Sequence, residues 1–340
     1  MDLHSFFPDG ARAAFIDQRM HRELAASLMH IRDQIQEQPD FASGLPLHHL
    51  DAAIHFLEAG QKVSPLLFAQ YYQLVFAIID NQEDLAPRLT ALSDATRRSE
   101  KLQIRDLSSQ DLGSEDITNL YRLCFDSDEG FTYGFLPPDP EQSRKTRKCI
   151  LKALELMERI LPELYQEIRT IIAEILLAAA PKDPGAYRFD GASSYQLWGA
   201  VTLNTDEDKS DIAMLEALAH ECGHCLLFGL TIEEPLVLND DRERYKSPLR
   251  TDPRPMDGIY HATFVSARMH YAMRQARESH VLTDSQKQEC VTNMVTSRKA
   301  FQDGYTVLES NAEYSATGRK IMENALEYMQ QTADSETSVN

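Results

Sequence analysis

The sequence predicts a mainly α-helical protein with a small β element: a helical N-terminal part, and a C-terminal part built around a His-Glu-Cys-Gly-His helix. Two observations carry this. Apolar residues recur at steps of three and four through most of the chain, the period of an amphipathic helix. Strand-like composition is confined to short stretches after Pro181. With 43% hydrophobic residues over 340 positions, a sizeable core is available to bury.

The first helix is expected over Ala11–Gln36, where Phe15, Met20, Leu24, Leu28, Ile31 and Ile35 keep the helical step. Similar patterns cover His48–Ala59, Leu66–Ile79 and Asp116–Cys124. Phe131–Pro140, with Gly-Phe-Leu-Pro-Pro-Asp-Pro at its end, reads as a loop. Ser143–Ala180 reads as one long helical run kinked at Pro162. Ala186–Phe189 and Tyr195–Asn204 read as strands. Asp208 or Ser210 can cap a helix running to about Phe228 and stopping at Gly229. The proline-rich linker Pro248–Pro255 precedes a helix from Met256 to about Glu278, and helices near Asp284–Leu308 and Asn311–Gln331 follow. The expected division is a helical region 1–110, a metal-binding catalytic region 111–332 and a disordered tail 333–340.

Composition excludes several partners. The formal net charge is -19, from 53 acidic and 34 basic residues, so phosphate backbones and anionic membrane surfaces are repelled. Ile171–Ala180, the most apolar stretch, is half a membrane span and carries Glu174. The amino terminus has no basic n-region or apolar h-region of a secretory signal. Cys124, Cys149, Cys222, Cys225 and Cys290 are odd in number and scattered, which fits reduced thiols of the cytosol. Cys222 and Cys225 have C-x-x-C spacing but sit in a helical segment, as small apolar fillers.

His220-Glu221-Cys222-Gly223-His224 carries the chemistry. Imidazoles four residues apart share one helix face, and both can reach one ion at about 2.0–2.1 Å. Glu221 flanks that face, where it can hold a metal-bound water or a proton beside the metal. Ile212, Leu215, Ala219, Cys222 and Leu226 form the neighbouring buried stripe. A strand just before such a helix is the arrangement of zincin-like sites. Coincidence is the competing reading for any short motif.

A third ligand would decide the reaction. The metzincin pattern needs Gly and His where this chain has Leu227 and Leu230, which excludes that class. A gluzincin-like zinc peptidase, with Glu221 as general base, would draw on Glu243, Asp240 or Asp241. Those residues lie in a polar run that reads as solvated charge. His261, on the helix that opens at Pro255–Met256, is the stronger candidate. A lone helical His is ordinarily a satisfied side chain, and the residues before this one change that reading.

Ser247-Pro248-Leu249-Arg250, Asp252-Pro253-Arg254-Pro255 and Gly258-Ile259-Tyr260-His261 stand in that order after the motif. The segment is similar to one in the HExxH motif-containing peptide-modification proteins. There the motif helix is followed by an S/A-P-W-R-x-D-P-R-P-like stretch and a G-x-x-H on a helix. Leu249 stands in place of the usual Trp, which bears on the pocket wall and leaves the ligand positions alone. The similarity covers roughly residues 190–275, and the N-terminal half carries no matching motif.

Members of that family look like Fe(II)- and 2-oxoglutarate-dependent oxygenases that hydroxylate ribosomally made peptides, typically at Cβ. The resemblance implies His220, His224 and His261 as metal ligands. It makes Arg250 and Arg254 candidates for the distal carboxylate of 2-oxoglutarate, with a precursor peptide as substrate. Three protein ligands on octahedral iron leave three positions, enough for a chelating keto acid and O₂. The planar fork of Arg suits a carboxylate, although ordinary salt bridges in a surface turn would use the same residues. An all-His site leaves more positive charge on the metal than one containing a carboxylate. Glu221 and Asp257 therefore stay open, as compensating neighbours or as ligands in place of His261.

Overall fold

The protein is described by a computed structural model covering residues 2–38, 42–82, 84–99, 101–126, 132–183, 188–250 and 252–337. Helices take 64% of the chain and a four-stranded sheet 8%, so it is mainly α with a small β element. Two compact units are formed. One comprises Ala14–Thr146 and Arg169–Glu207; the other comprises Met1–Ala13, Arg147–Ile168 and Asp208–Asn340.

In chain order the elements are α1 (Gly10–Gln36), α2 (His48–Glu58), α3 (Pro65–Ile79), α4 (Ala86–Ala95), β1 (Gln103–Asp106), α5 (Ser109–Leu112) and α6 (Glu115–Phe125). Then come α7 (Pro140–Ile160), α8 (Pro162–Ile171), β2 (Glu174–Ala178), β3 (Gly191–Ser193) and β4 (Ala200–Asn204). The last four are α9 (Asp211–Leu230), α10 (Met256–Glu278), α11 (Asp284–Asn311) and α12 (Ala316–Thr337). Pro162 breaks the expected long helix completely: α7 ends at Ile160 and α8 begins at the proline, whose ring cannot continue the preceding helix.

The first unit holds the sheet, in the order β1-β2-β4-β3, with β1, β2 and β4 parallel and β3 antiparallel to β4. Every residue of β2 and β4 is buried, as in strands covered on both faces. Here the sequence reading needs correction. Glu174–Ala178 was expected to be helical and is the central strand β2. A short, continuously apolar run carries no period that separates a buried strand from a buried helix. Glu174 anchors the strand, accepting from the Tyr121 hydroxyl at 2.7 Å and the Ser64 hydroxyl at 3.2 Å. Tyr195–Asn204 divides into a 3-10 turn at Tyr195–Leu197 and the strand β4. Of the expected strand Ala186–Phe189, positions 186 and 187 lie outside the described residues, and Arg188 and Phe189 are not in a strand.

The second unit holds α9 to α12. Ser210 caps α9, its hydroxyl accepting from the Ala213 N–H at 2.9 Å, and Thr283 with Gln286 forms a capping box on α11. α10 is buried along most of its length and packs on both α9 and α11. Its charge is internal: Arg268 and Arg12 both reach the Glu167 carboxylate, and all three side chains are fully buried. Arg268 also donates to the Phe6 carbonyl at 2.8 Å, fixing residues 5–7 inside this unit. α12 runs to Thr337 through part of the expected disordered tail, and positions 338–340 lie outside the described residues.

Candidate metal centre

α9 is buried on most of its surface. Its partly open positions between the end turns are Ala213, Glu216, Ala217, His220, His224 and Phe228, a single stripe at helical spacing. The histidines of the motif therefore lie in the accessible stripe, and the neighbouring Ile212, Leu215, Ala219, Cys222 and Leu226 form the core face, as expected. Glu221 is buried beside them, with Oε1 3.9 Å from His220 Nε2.

The glycine between the motif residues governs how closely the next helix approaches. A Cβ at Gly223 would stand 3.0 Å from Val265 Cγ1, a tight contact that glycine avoids where α9 meets α10. That approach brings His261 to His224. Their rings stack at 5.2 Å between centroids, with an interplanar angle of 13°, and the Phe228 ring also meets His261, tilted, at 5.1 Å.

The three rings form a row. His220 Nε2 lies 3.1 Å from His224 Nε2, and His224 Nδ1 lies 3.0 Å from His261 Nδ1. Beyond the ends, Met269 Sδ is 3.2 Å from His220 Nδ1, and Asp257 Oδ2 is 3.8 Å from His261 Nε2. Burial holds the His224 imidazole well below its ordinary range, reinforced by the positive potential of His220, His261 and Arg250. The ring is thus neutral, the form that binds metal.

The donor set suits a divalent cation of the iron or zinc type. Ligands at about 2.0–2.1 Å and right angles to one another stand ~3 Å apart, the spacing of these nitrogen pairs. Among the described residues, however, no group of three or more His, Cys, Asp or Glu side chains is arranged as a ready cage. The cause is the orientation of His224, which turns opposite nitrogens to its two neighbours. An ion at the His220 pair reaches His261 only after a ring rotates.

The other candidates are placed as follows. Arg250 lies in the strap between Tyr245 and Arg254, which is closed by two 2.8 Å backbone hydrogen bonds. Ser247 accepts from the Leu249 and Arg250 N–H groups at 3.3 and 3.2 Å. A Cβ on Gly304 of α11 would collide with the Thr263 hydroxyl of α10 and stand 3.1 Å from Pro248, so that glycine makes room for α10 first and for the strap beside it. Arg254 is buried and bonded to Asp252 at 2.8 Å. Asp240, Asp241 and Glu243 are exposed: Asp240 chelates Arg242, and Glu243 accepts from the Tyr245 hydroxyl. Burial raises the Cys222 and Cys225 thiols, which suits apolar fillers.

Sequence reasoning did not find Met269. A thioether used as an acceptor leaves no pattern in a helix, and only the folded contact reveals it. No family model matches the chain, and no curated protein matches it. Among the described residues no helix is long and apolar enough to cross a membrane.

Proposed function

We propose that the chain is a non-haem iron, 2-oxoglutarate-dependent oxygenase that hydroxylates a side-chain carbon, Cβ in the first instance, of a ribosomally made peptide. The observation that carries this reading is the row of three imidazoles on α9 and α10, with the positive charge of Arg250 acting on its middle ring. His220, His224 and His261 would hold the ion. Bound Fe(II) with the keto acid would supply oxidative decarboxylation and the hydroxylating oxidant.

The chain's own residues have simpler duties. Arg250 presents a guanidinium to the distal carboxylate of 2-oxoglutarate, and Arg254, braced by Asp252, holds the base of the strap. Phe228 and the buried face of α10 keep water away from His261. Glu221, beside His220, balances the charge of an all-imidazole site. Its position also favours a second reading, a zinc peptidase with Glu221 as general base. The exposed, locally paired Asp240 and Glu243 do not favour that reading as third ligands.

Mixing metal-free protein with Fe(II) and 2-oxoglutarate under anaerobic conditions should produce the visible charge-transfer band of a keto acid chelated to iron. Absence of the band, together with peptide hydrolysis supported by Zn(II) alone, would replace this reading with the peptidase.

A further inference from the structure

We infer that Met269 is a positioning residue for the metal site: its thioether fixes His220 in the tautomer that leaves Nε2 bare for a cation. The inference rests on the metal reading above and concerns a residue that reading does not use.

Met269 sits on α10 with Sδ 3.2 Å from His220 Nδ1. A thioether has no proton to donate, so the contact is attractive only when Nδ1 carries the hydrogen. A neutral imidazole has one N–H, and Nε2 of His220 is then a lone pair aimed towards His224. Metal-binding histidines usually give their other N–H to a carboxylate or backbone carbonyl, which also raises the basicity of the ligand. Sulfur orients the ring without adding negative charge.

The contact that matters for an ion is the next one along. His220 Nε2 stands 3.1 Å from His224 Nε2, the separation of two ligands on one ion. With its proton held at Nδ1 by Met269, His220 offers Nε2 to a cation there.

The test uses the full chain, labelled with ¹⁵N-histidine and free of metal, with His220 assigned by the signal lost in His220→Gln. The wild type should show His220 protonated at Nδ1 and bare at Nε2. Met269→Leu should move the proton to Nε2 and weaken Zn(II) binding, measured by chelator competition, by about tenfold or more. Met269→Gln, whose amide oxygen is an acceptor, should restore both. A wild-type His220 protonated at Nε2 overturns the inference. So does a Met269→Leu protein with unchanged tautomer, whether or not its affinity falls, because packing alone would then explain the loss. If the wild type binds neither Zn(II) nor Fe(II), the metal reading fails, while the metal-free spectra still decide the role of Met269.

Discussion

Two kinds of buried histidine occur in this protein, and the contrast separates structural work from chemical work. His21, in the sheet-containing unit, meets the Asp17 carbonyl with Nδ1 at 2.6 Å and accepts the Val63 N–H on Nε2 at 3.2 Å. His270, in the other unit, is held between the Tyr328 hydroxyl and Arg298, both at 2.9 Å. Each ring has a donor and an acceptor matched to its single proton. In the row of His220, His224 and His261 the rings face one another, nitrogen to nitrogen, at 3.0 and 3.1 Å. A ring held between a fixed donor and a fixed acceptor stabilises a fold, whereas rings that turn their nitrogens to one another offer donor atoms.

The largest effect expected from this contrast is on metal content. Wild-type protein should hold close to one divalent ion per chain, and the double variant His220→Ala/His224→Ala close to none, by metal analysis after reconstitution. Unaltered metal content in the double variant would end the comparison.

A buried charge paired with two cations should behave in the opposite way. Glu167→Gln leaves Arg12 and Arg268 without their shared carboxylate and should cost about 3–5 kcal/mol in denaturant unfolding. A loss below 1 kcal/mol would show that the two guanidinium groups are held by backbone carbonyls alone. His21→Ala ranks next, at about 1–3 kcal/mol, since it strands the Val63 N–H in the core. Metal affinity should not move. Any weakening of metal binding in His21→Ala would blur the distinction drawn above.

The smallest effect is a pH dependence. Burial, partly offset by the Asn293 hydrogen bond, pushes the Glu216 carboxyl up to about 7 from an ordinary 4.5. Below pH 4.5 the group is protonated in both folded and unfolded chains and contributes no difference. Between 4.5 and 7 the folded chain must retain a proton that the unfolded chain releases, so stability falls as pH rises. Glu216→Gln should remove that loss, gaining about 2 kcal/mol at pH 8 and nothing at pH 4, after allowance for partial exposure. Equal gains at both pH values would assign the effect to packing.

Much of this site was legible in the sequence, for identifiable reasons. Ser210 as cap, the apolar stripe of α9 and the proline-rich break before Met256 are local signals, and they placed both histidine-bearing helices correctly. β2 was misread because Glu174–Ala178 is too short and too evenly apolar to show a period. α4 and β1 were missed as weakly patterned segments. The turn of the His224 ring and the thioether contact of Met269 depend on packing between α9 and α10, which no local pattern encodes. The Arg12–Glu167–Arg268 cluster joins residues 155 and 101 positions apart and was equally invisible.

That cluster also bears on the order in which the chain matures during synthesis. Residues 5–7 leave the ribosome long before Arg268, yet their carbonyls are claimed by Arg12 and by Arg268, the latter 262 positions beyond Phe6. The stretches 14–146 and 169–207 of the sheet-containing unit are complete long before α10 emerges. At about 5–20 residues per second of translation, the early segment waits roughly 13–50 seconds for Arg268 with Phe6 uncovered. The histidine row, which needs His261 of α10, is therefore completed late in synthesis.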